Sequence, residues 1–513
     1  MTAMPQKGTV YLVGAGPGDY GLLTIRAKEL IEQADVLVYD NLVNPRIVSL
    51  CAENCEKIYV GKSGAHHSME QDDINRLLVV KAKEGGIIVR LKGGDPYIFG
   101  RGGEEALELA DAGIRFELVN GISSAYAVPT FAGIPVTHRG IAASVAFITG
   151  HEDPTKEDSD LHWDRLATAV QTLVFLMGVK NIPLITSELI KNGRSPETPV
   201  AVIRRGTYPT QQTVTGTLEN IEQKVREAGI KPPAIIVVGE VVSLREKISW
   251  FDTRPLFGKS IVVTRSREQS SDLVAGLLEL GARVIEAPSI KIIPPEDRGP
   301  VTRALNNLGA YDWIVFTSAN GVDYFFRYLG EAGLDSRALA GSRVCAIGPG
   351  TANRLLGRGI TADLVPARFI SSGIIEELAA RDEIKGKKFL LPRADIAPGD
   401  LSRELAEKGA ALVDDITIYC TVREDIPPDS ETASLLQNRA VDCVTFTSSS
   451  TAKNFASILN GLGVTDFSGF RCAAIGPITA ETARGLGFSV DCASEEHSIP
   501  GLIRSLIQFF NRG

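Results

Sequence analysis

VYLVGAGPGDYG, residues 10–21, runs an apolar stretch into Gly14, Gly16 and Gly18, with Pro17 and Asp19 set among the glycines. It reads as a strand entering a glycine-rich turn, the unit from which α/β domains are built. A dinucleotide pyrophosphate is one ligand for such a turn, and DVLVYD ends in Asp40 about 20 residues on, where a ribose-binding acid would stand. The spacing argues against it: Asp19 follows a G-x-G-x-G run where G-x-G-x-x-G is required. Pro17 also removes an amide where a phosphate needs donors.

The same rhythm continues outward. TVYLVGAG, DVLVYD, GIIVRLKGGD, ASVAFITG and TLVFLMG alternate with helical patterns, so the chain is expected to be α/β throughout. Its 513 residues allow about three or four domains, each with its own core. No apolar run reaches the roughly 18 residues of a membrane span, and the first residues carry no export signal, so a cytoplasmic protein with no membrane partner is expected. The net charge of −8 disfavours nucleic acid as a partner. Seven cysteines, an odd number, fit reduced thiols, and Cys51, Cys55, His66 and His67 lack zinc-site spacing, so no metal is expected.

ISWFDTRPLFGK, residues 248–259, breaks the pattern with Pro255 and Gly258. A linker is placed at 249–257, between domains at 8–248 and 258–513. The second domain repeats itself. GKSIVVTR at 258 returns as GKKFLLPR at 386, FTSANGVDYF at 316 as FTSSSTAKNF at 446, and CAIGPGTANRLLGRGI at 345 as AAIGPITAETARGLGF at 473. The offsets of 128, 130 and 128 residues imply two homologous α/β lobes with a cleft between them.

A second loop, RLKGGDPYIFGRGGEE at 90–105, exposes backbone at Gly93 and Gly94, offers Asp95 as an acceptor and carries Arg101 on another sharp turn. Two glycine loops after two strands describe a cleft. VGAGPGD, ADVLVYDNLV, VGKSGAHHSMEQDDIN, VRLKGGDPYIFGRGGEE, GIPVTHR and LVFLMG together closely resemble uroporphyrinogen-III C-methyltransferase over residues 8–248. The resemblance implies a class III tetrapyrrole methyltransferase fold of two α/β subdomains, with S-adenosylmethionine between them. It places Pro17, Gly93, Gly94, Asp95, Ile98, Ser123, Ser124, Met177, Gly206 and Ala234 around the donor. Arg101 and Arg139 become guanidinium partners for the acceptor's carboxylates, and Glu104 an acceptor for pyrrole N–H groups. By the same resemblance Asp40 is the base that takes the ring proton and Lys62 its proton donor or hydrogen-bond partner. A homodimer through this half is implied.

The second domain has no phosphate loop, zinc spacing or nucleophile–base pair, and from its residues alone is a two-lobed ligand binder. Its hydroxyl-rich turns and helix starts suit an anionic ligand. VVTRSREQ, FTSANGV, the two AIGP-x-TA turns and ITIYCT resemble uroporphyrinogen-III synthase, a two-lobed α/β fold that closes hydroxymethylbilane without a cofactor. Tyr419 is the candidate for assisting hydroxyl departure, with Ser318, Ser448 and Thr479 as carboxylate contacts.

The whole chain therefore reads as a bifunctional enzyme of the cobalamin and sirohaem branch acting on small tetrapyrroles, from hydroxymethylbilane through uroporphyrinogen III to precorrin-2. Oxidation of precorrin-2 and metal insertion are expected of other proteins. Two rivals stay open: a nucleotide-dependent oxidoreductase built on the first glycine turn, and a methyltransferase whose second half only senses a ligand.

Overall fold

The computed structural model describes residues 8–61, 69–151, 160–265 and 267–511, without the side chains of 267–271. The chain divides into two compact units. One holds residues up to Ser260 with Ala275–Val284, and the other holds Ile261–Val274 and Ile285–Phe509.

The first unit has two sheets. β1 (Thr9–Gly14), β2 (Val36–Tyr39), β3 (Glu56–Tyr59), β4 (Ile87–Lys92) and β5 (Phe116–Val119) form a parallel sheet in the order 3-2-4-1-5. Both faces are covered: Tyr11 and Val13 enter one apolar cluster, Val10 and Leu12 the other. That is why β1 reads as an unbroken apolar run rather than an alternating one. β4 and β1 are neighbours where the connections change direction, which is where an α/β sheet opens a crevice at its strand ends.

The second sheet holds β6 (Val145–Thr149), β7 (Thr172–Leu176), β8 (Pro199–Arg204), β9 (Gln212–Thr217) and β10 (Ala234–Val238), in the order 6-7-10-8-9 with only β6 and β7 parallel. The helix Ser124–Phe131 ties the two sheets together. It starts just beyond β5 and buries Ala125 and Val128 against Val174, Leu176 and Ile235 of the second sheet.

Residues 249–257 pack onto this unit instead of forming a free tether. Phe251 and Leu256 are buried, the Phe251 ring lies 4.8 Å from that of Phe131, and Arg245 pairs with Asp252.

In the other unit, β11 (Ser260–Val263) and β12 (Arg283–Glu286) join β18 (Cys443–Phe446), β19 (Arg471–Ala474) and β20 (Ser489–Ala493) in the order 12-11-18-19-20. β13 (Ile290–Ile293), β14 (Trp313–Phe316), β15 (Arg343–Ala346), β16 (Lys388–Ala394) and β17 (Leu412–Arg423) form the order 13-17-16-14-15. There are two lobes, but they are not the two repeats. The leading strand of each repeat, β11 or β16, pairs with a later strand of the other, β18 or β14. One lobe is the continuous stretch 290–423, inserted into the other, and the repeat boundary near residue 386 falls inside it. The two chain passages between the lobes meet at buried Ser289, whose amide donates to Thr264 O and whose carbonyl accepts from Glu424 N.

Candidate functional site

The opening glycines serve backbone packing. Gly16 N donates to Gly94 O at 3.1 Å and Gly94 N to Gly16 O at 2.7 Å, which zips the β1 turn to the β4 turn. A Cβ on Gly121 would stand 2.1 Å from Gly94 O, and one on Gly14 would stand 2.4 Å from Gly121 N. Three strand ends can meet here only without side chains. The Gly16 amide is committed to Gly94 and Pro17 has none, so neither position offers a donor to a pyrophosphate.

Asp95 fastens the same assembly. It is 4% exposed and accepts from Tyr97 N at 2.8 Å, Asn120 Nδ2 at 3.0 Å and Gly121 N at 3.1 Å. Its carboxylate thus fixes the β4 turn against the β5 turn. Ser123 spends its hydroxyl as the cap of the Ser124–Phe131 helix, accepting from Ala125 N at 3.2 Å.

The second subdomain meets this rim. Gly206, after β8, sits against Val128 of the bridging helix, and Asp19 N donates to Thr207 Oγ1 at 3.1 Å. Met177 follows β7 with φ +60° and a half-exposed side chain, and Ala234 opens β10, whose next residue, Ile235, pairs with Leu176. Thus Pro17, Gly93, Gly94 and Asp95 lie on the rim of the first sheet, Ser123 and Ser124 start the bridging helix, and Met177, Gly206 and Ala234 sit on the rim of the second sheet. Ile98, half-buried, continues the Asp95 turn with its amide on Asp95 O. Left-handed backbone at Phe99, Arg101, Met177, Arg205 and Thr207 concentrates in these same loops, a strain that persists only where the surrounding structure enforces it.

Arg101 and Glu104 face one another. Arg101 Nε donates to Glu104 Oε1 at 2.8 Å and Nη2 to Oε2 at 2.6 Å, both side chains about half exposed. The pairing holds the Glu104 carboxyl below the usual range. Arg139 is exposed at the tip of the tight turn closed by His138 and Ala142. Lys62 lies outside the described residues, as do His66 and His67.

Asp40 is held at both carboxylate oxygens, Oδ1 by Leu42 N at 3.0 Å and Oδ2 by Arg90 Nη2 at 3.4 Å. Sequence reasoning missed Arg90, Lys92 and Glu105, although the signal was present: two cations at alternate positions of a strand that parallel packing buries on both faces. The register explains their grouping. Val36 pairs with Ile88 and Val38 with Arg90, so Asp40, two residues on, continues the face that carries Lys92. Glu105 comes down on that face from the helix Gly102–Asp111, fully buried, and accepts from Lys92 Nζ at 2.7 Å and Arg90 Nε at 3.1 Å. Burial, then the charge of Arg90, pushes the Lys92 pKa down.

In the other unit, Tyr419 is buried beside Tyr324, and its hydroxyl lies 3.1 Å from Ser318 Oγ. Burial raises its pKa. Ser318 also caps the helix Ala319–Glu331, accepting from Gly321 N at 3.0 Å. Ser448 caps the equivalent helix Ser449–Gly461 in the other lobe, and Thr479 is buried in the first turn of Pro477–Gly485. Tyr419 and Ser318 therefore come together, while Ser448 and Thr479 belong to the other lobe.

The glycine-zipped sheet, the bridging helix and the strained rim of the second sheet frame one candidate site, and a two-lobed α/β unit follows in the chain. Residues 9–222 match the family of tetrapyrrole (corrin/porphyrin) methylases, and residues 271–504 match uroporphyrinogen-III synthase HemD. The chain is 38% identical over 509 residues to a porphyrin biosynthesis protein HemD of Ruminiclostridium josui, covering 98% of each. It is 56% identical to an S-adenosyl-L-methionine-dependent uroporphyrinogen III methyltransferase of Methanosarcina barkeri, over 47% of this chain and 94% of that one. A uroporphyrinogen-III C-methyltransferase of Bacillus subtilis is 47% identical over 65% of this chain and 68% of its own. The chain belongs to the family in which a tetrapyrrole methylase and a HemD-type uroporphyrinogen-III synthase are joined, and it is an enzyme of tetrapyrrole biosynthesis. No helix among the described residues is long and apolar enough to cross a membrane.

Proposed function

We propose that residues 8–248 methylate uroporphyrinogen III at C2 and C7 to precorrin-2, and that residues 258–513 form uroporphyrinogen III from hydroxymethylbilane. The observation that carries the first assignment is the convergence of the donor residues. Positions spread from Pro17 to Ala234 gather on two facing rims and one bridging helix, and none of them is a cation. Small side chains, backbone groups and an exposed thioether at Met177 suit a neutral adenosine and a cationic sulfonium.

S-adenosylmethionine supplies an electrophilic methyl group when bound. The chain's own part is alignment and proton transfer. Arg139 and Arg101 hold acceptor carboxylates, with Arg101 exchanging one of its two bonds to Glu104 for the ligand. As the carbon–methyl bond forms and the sulfur–methyl bond breaks, the carbon becomes quaternary and a proton must leave elsewhere in the ring system. Asp40, fixed at both oxygens and still partly exposed, takes it. Lys62 is the expected partner in that exchange.

For ring closure, Tyr419 gives its proton to the departing hydroxyl, and Ser318, Ser448 and Thr479 hold side-chain carboxylates from the two lobes. The synthase half needs no cofactor in this reading. The protein works in the cytoplasm as a homodimer through its methylating half.

Hydroxymethylbilane and methyl-labelled S-adenosylmethionine given to the purified chain should yield a doubly methylated tetrapyrrole by mass. Accumulation of type I product alone would remove the ring-closing assignment, and failure to methylate supplied uroporphyrinogen III would remove the other. Light scattering checks the dimer.

A further inference from the structure

We propose that Arg90 is a positioning residue for methyl transfer: it fixes the Asp40 carboxylate and is itself aimed by Glu105. The inference rests on the reading of Asp40 as the base.

The arrangement is costly as plain structure. Arg90, Lys92 and Glu105 are each under 5% exposed, on a sheet face otherwise filled by Val10, Leu12, Val38 and Ile88. Aliphatic residues of similar volume at such positions are often neutral or stabilising relative to a buried ion network. The network also leads somewhere. Glu105 Oε1 receives three donors, Lys92 Nζ, Arg90 Nε and Gln71 Nε2. Arg90 Nη1 is taken by Leu91 O at 3.1 Å, so Nη2 is left directed at Asp40 Oδ2.

The chain of contacts thus runs from a fully buried carboxylate, through a guanidinium that cannot lose its proton, to the partly exposed carboxylate at the end of β2. With Leu42 N on the other oxygen, Asp40 has neither a free rotamer nor an uncompensated charge.

Among the described residues, the charged and titratable groups near Asp40 come from β3, β4 and the helix after β4. From β4 come Arg90 and Lys92, with Glu105 behind them on the next helix. From β3 comes Tyr59, whose hydroxyl lies beside Gly61 near the Asn41 backbone. Held at both oxygens, the Asp40 carboxylate keeps one orientation toward the site where the ring proton leaves.

The experiment measures kcat and KM of methyl transfer to supplied uroporphyrinogen III for the full-length wild type, Arg90→Gln, Arg90→Lys and Asp40→Asn. Affinity for S-adenosylhomocysteine is measured by calorimetry and melting by circular dichroism. Arg90→Gln leaves Glu105 paired with Lys92, so the fold should persist. Its kcat should fall about 10- to 100-fold, with KM for uroporphyrinogen III and S-adenosylhomocysteine affinity each within about 2-fold of wild type. Arg90→Lys should recover part of kcat. A wild-type kcat, or KM and affinity worsening in step with kcat, would overturn the proposal and reduce Arg90 to packing. Wild-type kcat in Asp40→Asn would instead remove the base assignment on which it rests. Should Arg90→Gln melt before assay, the split between kcat and KM in Arg90→Lys decides between the same outcomes.

Discussion

The Tyr419 hydroxyl and Ser318 Oγ lie 3.1 Å apart, joining the middle of β17 to the start of the helix after β14. Ser318 already accepts from Gly321 N, so its own proton is free to go to Tyr419, or the phenol's proton to it. The position equivalent to Tyr419 in the first repeat is Lys291, so the pairing is absent there and the two repeats are chemically unlike at this point, although both residues lie in the 290–423 lobe.

Tyr419→Phe should slow ring closure about 10-fold or more, the range of general acid effects, and raise the share of type I isomer formed by spontaneous closure. Methylation of supplied uroporphyrinogen III should not change. Ser318→Ala should behave differently, costing about 1 kcal/mol through the lost helix cap while keeping isomer purity nearer wild type. Rates and isomer ratios by chromatography separate the two. Wild-type purity in Tyr419→Phe would leave closure to cleft shape.

The pH dependence follows from the same burial. The Tyr419 pKa is raised, so its hydroxyl keeps its proton throughout the neutral range. Ring closure should therefore be level across neutral pH and decline only as pH climbs through the raised value. Because the folded pKa exceeds the unfolded one, the stability linked to this group is fully present below the unfolded tyrosine pKa and is lost above the folded one. A decline beginning near neutrality would point to another acid.

Asp95→Ala should weaken binding of the methyl donor and also destabilise the fold, because the carboxylate clamps two strand ends through three donors. Leaving those donors unpaired in a buried site costs about 1–3 kcal/mol. Calorimetry with S-adenosylhomocysteine and thermal melting should move together. Unchanged melting with lost affinity would mean that Asp95 acts on the ligand directly. Gly103→Ala is the matching control: a Cβ there meets nothing within 4 Å, and the change should be neutral or slightly stabilising.

The boundary between the halves should be sharper than its composition implies. A fragment ending at Ile248 loses Phe251, its contact with Phe131 and the Arg245–Asp252 pair, whereas one ending at Phe257 keeps them. Burying one such aromatic is worth about 1.5–3 kcal/mol, so the fragment to 257 should melt measurably higher. Equal melting temperatures would show residues 249–257 to be a tether.

Much of the donor site was legible because loop chemistry is local: GAGPG and KGGDP each announce a strand end by themselves. What they do there was not. Asp95 looks like a ligand acceptor in sequence, and only the approach of the β5 turn shows its bonds taken by Asn120 and Gly121. Arg90 and Lys92 were passed over because their meaning depends on a parallel register with β2 that no local pattern states. The repeat was legible and its fold was not, since an echo at 128 residues says that two segments are alike and nothing about which strands pair.

That last difference gives the firmest test of the second unit. If a repeat were a lobe, residues 258–385 would fold alone. In the structure β11 has its parallel partner in β18, and β14 has one of its partners in β16, both supplied by the other repeat. Fragment 258–385 would expose Ile261, Val262 and Val263, all buried in the chain, and about 1.5–3 kcal/mol for each rivals the 5–15 kcal/mol of a whole domain. The stretch 290–423 keeps all five strands of its sheet and both of its apolar clusters. It should melt cooperatively with native-like circular dichroism, while 258–385 should show no cooperative transition. A folded, monomeric 258–385 would place the strand pairing within the repeat and overturn the interleaved topology.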